Sequence, residues 1–511
     1  MKHIFPIVFL LISGFISAQD YPLTDHFQNL NEKDIYFSGT STLIRPATGA
    51  ENTLYDSLIF TTLKSDRKTW LGRKIFDEHL VVAQDSNFKI IVDPIVDFRI
   101  NNTNYSSIND TRTGYLNTRG IKISGNLDSK LFFNTSFTEN QGVLPPQILR
   151  YYDLFNVIPG YGRVKQLSGF NKYDFANAYG SVSLKASENL NFNLGYDKLF
   201  IGDGYRSMIL SDFSAPMMYF KISAKFGKFE YNSIFTKALN PNFNNVSNLP
   251  ETTSINSRYP AKFVSYNTLT YKIKNWQFSV IEALVMPEDL PVWQVLLNYA
   301  SPFFRGAYGN LMSEPVNDLA GLNISWQIPD LGVFYTQIMI DRLFGSNGND
   351  VAFQVGYKDF DFFNVENWCF LLEYNMATDK AYTFFDNELH YSHYNQPLAH
   401  PAGNAFNELI IMSAYSINRF ELIAKVNFLK VGVQNIYDFY AIDGYYDVNN
   451  SASTAPMIVN GDLQIVYNVN RANSLQVFIG ISHRIDFIRN DDDYFIQAGL
   501  RTAIRSNYYD F

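Results

Sequence analysis

The chain has 511 residues, enough for several domains or one large one. Its 44 Phe and 34 Tyr sit beside a mean hydropathy of only −0.13, so apolar residues alternate with polar ones instead of forming membrane-helix runs. Taking Lys2 away with an N-terminal leader leaves 40 basic residues against 49 acidic, a net charge of −9 that argues against a nucleic-acid partner; the single cysteine, Cys369, excludes an intramolecular disulfide.

Met1 to Ala18 has the layout of a signal peptide: Lys2 and His3, an apolar run from Ile4 to Ile16, then Ser17-Ala18 before Gln19. Cleavage after Ala18 is expected, and with no cysteine following the cut the product is not a lipoprotein. Residues 19–86 read as an extended and helical N-terminal segment on the periplasmic side. It holds a short amphipathic helix from Thr69 through Leu71, Ile75, Phe76, His79 and Leu80, a weaker helical stretch at Leu54 to Leu63, and expected disorder before Ile35.

From residue 87 to 511 the pattern is one of paired strands. Leu190, Phe192, Leu194 and Tyr196 alternate with Asn191, Asn193, Gly195 and Asp197, giving one greasy face and one wet face. Late in the chain Leu463, Ile465, Tyr467 and Val469 are followed by a connection, Asn470 to Asn473, and then by Leu475, Val477, Ile479 and Ile481. About 18 such strands are expected, mostly about 10 residues long, the length that crosses a bilayer at a tilt. Short connections such as Phe226-Gly227-Lys228 alternate with long ones such as Thr138 to Ala176 and Ala377 to Phe406. The fold class expected is therefore all-β, an antiparallel transmembrane outer-membrane β-barrel with a small helical N-terminal segment and inward-folded loop helices.

Two loops carry the helical pieces. Pro145-Pro146 precedes Ile148, Tyr151, Tyr152 and Phe155, and Asp289 and Pro291 precede Val292, Val295, Leu296 and Tyr299; both are candidate plugs for a wide lumen or caps on a loop. The turn Gly202-Asp203-Gly204 interrupts the alternation, and Arg206 to Asp212 reads as a turn of helix. The final strand runs through Ile496, Ala498, Leu500, Thr502 and Ile504, and then Tyr509 and Phe511 fall out of phase, which requires a bulge or a free tail.

Phe200 to Pro216, FIGDGYRSMILSDFSAP, is similar to the motif of the capsule-assembly Wzi-type barrels and, more closely, of gliding-motility outer-membrane proteins of the RemB kind. A second segment resembling that superfamily is Tyr391 to Gly403, YSHYNQPLAHPAG, with Glu408 beyond. A weaker third is Lys262 to Leu269 leading into Ile281-Glu282, with Asn267 where the Wzi pattern has a histidine. The resemblance spans the chain from about Ile35 onward. It implies an 18-stranded outer-membrane barrel, exposed at the surface of a Gram-negative cell, that supports gliding motility or capsule attachment. The partners implied are outer-membrane lipid and a surface polysaccharide or motility-surface protein, with no cofactor and no enzymatic activity.

Gly202, Asp203, Gly204, Arg206, Ser207 and Ser211 offer N–H groups, a guanidinium and hydroxyls, a set able to hold a sugar or an anion, or to pin an inward-turned loop. His393 and His400 join them as ligand-binding candidates. No resident metal is expected: His390, His393 and His400 with Glu388 lie on a Pro-punctuated loop and lack a metal-ligand spacing, and Asn490 to Asp493 lacks the spacing of a calcium loop. Ser392-His393 and Ser482-His483 are adjacent on strands and so point to opposite faces, which disfavours nucleophilic catalysis. Loop tyrosines Tyr151, Tyr152, Tyr161, Tyr445 and Tyr446 suit sugar stacking. The alternative function is an outer-membrane channel or transporter.

Overall fold

Alternating strands with two differently solvated faces can satisfy every backbone group in lipid only by closing on themselves, and this chain does so. The computed structural model describes residues 32–37, 41–47, 65–105, 110–155, 157–162, 164–167, 172–239, 260–290, 316–341, 350–384, 387–432, 457–487, 491–502 and 510. The signal peptide, Leu54 to Leu63, the loop helix expected at Val292 to Tyr299, Tyr445, Tyr446 and Phe511 lie outside the described residues.

Eighteen antiparallel strands form one closed barrel. They are β1 Phe88–Tyr105, β2 Asp110–Leu127, β3 Leu131–Val143, β4 Lys172–Ser187, β5 Leu190–Asp197, β6 Met217–Phe226, β7 Phe229–Leu239, β8 Ala261–Ile273 and β9 Trp276–Pro287. The second half comprises β10 Asn317–Ile328, β11 Gly332–Asp341, β12 Asp350–Asp359, β13 Trp368–Ala377, β14 Phe406–Ile417, β15 Phe420–Val431, β16 Met457–Asn470, β17 Leu475–Asp486 and β18 Asp491–Arg501. Closure pairs β18 with β1, from Tyr494↔Asn104 to Arg501↔Asp97. Strands β1 and β2 reach 18 residues each, longer than a bilayer crossing requires.

The alternation sorts the two faces as lipid and lumen demand. On β5, Leu194 and Tyr196 are exposed outward while Asn191, Asn193 and Asp197 are buried inward; on β17, Val477, Ile479 and Ile481 point out and Gln476 and Phe478 point in. Near the short turns the outer wall carries aromatic neighbours: Phe229 on Tyr271, Trp276 stacked on Trp326 at 4.8 Å, and Phe334 on Tyr357 at 4.6 Å. Such a girdle marks a membrane–water boundary. One outward stretch departs from the rule, where Ser233, Asn267 and Glu282 face one another across β7, β8 and β9 and Tyr231 Oη donates to Asn267.

Residues 65–84 sit at the short-turn end. The helix there is Trp70–Phe76, shorter than the expected run to Leu80, and Thr69 caps it by accepting from Gly72 N at 3.2 Å. Asn470 Nδ2 donates to the carbonyls of Lys74 and Glu78, and Val81–Gln84 pairs with the start of β1. The hydrophobic core lies inside the barrel. Leu43, Ile44, Ile201, Met208, Ile209 and Leu210 pack there against inward residues of the wall, including Ile234, Val264, Ile281 and Met339.

Candidate functional site

Inward positions of the wall form a continuous polar row across eight strands. Facing partners run Glu230, Thr270, Ser279, Asn323, Gln337, Gln354, Asn375 and Glu408, from β7 to β14. The β5–β6 connection folds into the lumen and lies along this row.

Its residues meet the wall on strands β10 to β13. Asn323 Nδ2 donates to Asp203 Oδ2 at 2.7 Å, and Gln337 Oε1 accepts from Met208 N at 2.6 Å and from Ser207 Oγ at 3.2 Å. Gln354 Nε2 donates to the Arg206 carbonyl at 2.8 Å, and Glu373 on β13 accepts the backbone N–H groups of Tyr205 and Arg206 at 2.7 and 3.0 Å. Wall side chains thus take over the main-chain pairing that a helix would supply internally. For that reason Arg206 to Asp212 forms an irregular segment and not the expected turn of helix, with Ile201 bridged to Leu210.

Arg206 is 1% exposed. Its Nε and Nη2 donate to the two oxygens of Glu408 at 3.2 and 2.9 Å, and Nη2 lies 3.1 Å from Asp510 Oδ1. His400 Nδ1 accepts from Ala402 N, so its proton sits on Nε2 and is donated to Glu408 Oε2 at 2.6 Å, with the ring stacked on Phe406 at 4.0 Å. A buried charge cluster of this kind holds only while each member keeps its partner.

The segment is also held from the short-turn end. Ile44–Arg45 pairs as a strand with Phe200–Ile201, Thr42 Oγ1 and Tyr36 Oη donate to Asp203 Oδ1 at 2.6 and 3.0 Å, and Arg45 Nη2 donates to the carbonyls of Gly202 and Gly204. Arg45 also lies over the Phe200 ring at 4.1 Å. From the long-loop side comes the β13–β14 connection, residues 378–405. Ser211 N donates to the Leu398 carbonyl at 2.8 Å and Ser211 Oγ to that of Ala399, while Tyr382 and Tyr391 donate to the carbonyls of Met208 and Ile209.

The fold therefore gathers Gly202, Asp203, Gly204, Arg206, Ser207, Ser211 and His400 into one lumenal plug. His393 stands apart: it accepts from Leu239 N at the end of β7 and contacts the Pro216 carbonyl at 3.3 Å, fixing the loop to the wall. His390 Nδ1 accepts from Phe384 N. The helix Pro146–Phe155 folds inward onto this plug, with Tyr151 edge-on to Phe213 at 6.4 Å, but Tyr151 and Tyr161 are buried in that packing and present no stacking face, contrary to expectation. The phase break expected after Ile504 falls on residues 503–509, outside the described residues; Asp510 beyond it is buried in the lumen beside Arg206.

The partners of the plug, Asn323, Gln337, Gln354, Glu373, Arg45, Lys425 and Asp510, escape sequence reading. For Asn323, Gln337, Gln354 and Glu373 the one signal is amides and a glutamate at inward positions of consecutive strands, where a water-filled lumen demands only polarity.

Fold and site together define a plugged, membrane-spanning barrel of the outer-membrane type. Comparison with family profiles finds no match, nor does comparison with curated protein sequences. Among solved structures, the chain is similar to Wzi of Escherichia coli, described as an outer-membrane protein involved in group 1 capsule assembly and a carbohydrate-binding β-barrel. Identity is 15%, with 81% of this chain and 85% of that one covered, and the TM-score is 0.48. It is also similar to OccK1 (OpdK) and OpdQ of Pseudomonas aeruginosa, both at 9% identity and 80% of this chain, covering 97% and 96% of those chains with TM-scores of 0.45 and 0.41. The barrel itself rests on the strand pairing given above.

Proposed function

We propose that this protein is a non-enzymatic, surface-exposed outer-membrane barrel that binds a surface polysaccharide or a motility-surface protein at its long-loop end, in support of capsule attachment or gliding. The observation that carries this reading is the plug: a lumen occupied by the β5–β6 connection, residues 41–47, the β13–β14 connection and the helix Pro146–Phe155, with Asp203 and Tyr205 to Met208 pinned to strands β10 to β14, favours holding a partner over passing solute. The resemblance of Phe200 to Pro216 and Tyr391 to Gly403 to the RemB and Wzi motifs supports the choice of partner. In this reading Gly202 to Ser211, His393 and His400 act by setting the shape of the plug, and the binding surface lies above them.

A channel is the second reading, favoured by the charged lumenal face of β1, β17 and β18, where Asp97 pairs with Arg99 and Arg484 with Asp486, and Arg99 and Arg501 both lie over Phe478. The two are separated by measuring the detergent-folded protein twice, for saturable binding to the cell's own isolated surface polysaccharide and for conductance in planar bilayers. Binding with a silent bilayer is expected. Steady conductance without binding would overturn the proposal in favour of the channel.

A further inference from the structure

The penultimate residue of the chain is held by more groups than any packing role asks for. Lys425 Nζ lies 2.9 Å from Asp510 Oδ2, Tyr205 Oη donates to the same oxygen at 3.2 Å, and Arg206 Nη2 is 3.1 Å from Oδ1. The main-chain carbonyl of Asp510 is held as well, by Asn427 Nδ2 at 2.6 Å and Arg206 Nη2 at 3.2 Å. Two of these residues, Lys425 and Asn427, stand on the inner face of β15, and the other two, Tyr205 and Arg206, belong to the plug. Asp510 therefore bridges wall and plug. Because the donors address a carboxylate and a peptide carbonyl at once, they fit a peptide bearing an acidic side chain better than a free anion, which fills only half the set.

We propose that Arg206, Lys425, Tyr205 and Asn427 form a carboxylate-binding site whose resident ligand is the chain's own Asp510, so that Asp510 locks the plug to β15. The site adds to the functional reading above and holds whatever partner the loops bind. Strand β18 runs toward the short-turn side, and Thr502 after it bonds to Val96, whereas the β5–β6 and β13–β14 connections leave their strands at the long-loop end. Asp510 and the β13–β14 connection hold the plug by separate sets of contacts, so it cannot leave without breaking both.

The test compares wild type, Asp510→Asn and a chain ending at Arg505, each checked for barrel assembly by heat-modifiable gel migration. Open-lumen events in planar bilayers should rise roughly a hundredfold in Asp510→Asn, the shift that loss of one partner from a buried ion cluster implies. The synthetic hexapeptide of residues 506–511 should silence the shortened protein, while the same peptide with Asn for Asp, or sodium glucuronate at equal concentration, should not. An assembled Asp510→Asn protein as silent as wild type would overturn the lock. Equal silencing by glucuronate would overturn the assignment of the tail as resident ligand. Should the shortened chain fail to assemble, Asp510→Asn alone decides.

Discussion

A Cβ on Gly204 would lie 2.6 Å from both Nε2 and Oε1 of Gln354 and 2.6 Å from the Arg206 carbonyl. Gly202, with φ at +147°, adopts a backbone conformation that other residues reach only with strain. The two glycines of the motif thus serve contact with the wall, where the sequence also allowed contact with a ligand. Gly204→Ala should cost the plug about 1–3 kcal/mol, the usual penalty of overpacking, while the barrel still assembles. Native-state proteolysis checks this: cleavage within residues 198–216 should become faster, and unchanged protection would mean that Gln354 yields. Asp77, outside the membrane, supplies a pH dependence. The hydrogen bond from Ser65 is the largest cause holding its carboxyl below the ordinary carboxylate value; burial opposes it, and Arg419 and Arg67 add to it. A folded-state value below the unfolded one stabilises the ionised form, so the contribution is present above about pH 4 and is lost as pH falls further. Acidification through that window should loosen residues 65–84 from the rim, seen as faster hydrogen exchange there, and Asp77→Asn should abolish the pH dependence.

At the scale of elements, what was legible was whatever the two solvents impose locally. Leu190 to Asp197 announces its faces because lipid and lumen lie one residue apart. The alternation blurs on β9, where Ile281, Ala283 and Val285 face the lumenal core and Leu284 and Met286 are also buried. A strand apolar on both faces hides its period, yet here it reports that an apolar core packs against it inside the barrel. Arg206 to Asp212 misled for a related reason. Its helical spacing is real, but Gln337, Gln354 and Glu373, which claim its backbone groups, lie far along the chain and become neighbours only after closure. Glu408 stood beside a recognised motif, while its relation to Arg206 and His400 needed the barrel. The helix that starts after Thr69, being local, is legible in the sequence, while its end at Phe76 is not.

For the whole molecule, the consequence of a core inside the barrel is that assembly and closure of the lumen are separable. Eighteen strands pair edge to edge without help from the plug, and a barrel of that size without one encloses an aqueous channel. Replacing residues 199–215 with a short Gly-Ser turn removes the ridge between Ile44 and the wall and bares Ile234, Val264, Ile281 and Met339 to lumenal water. Those side chains belong to strands held by full ladders of hydrogen bonds, so the barrel should still fold, in lower yield, and migrate as a heat-modifiable species. Planar-bilayer recording should then show steady conductance where the intact protein is silent. A silent, folded deletion protein would mean that residues 41–47 and 378–405 close the lumen by themselves. The apolar inner wall argues for conductance, because those two segments keep their own bonds to the rim and loops but lose the surface, from Ile201 to Leu210, against which both of them pack.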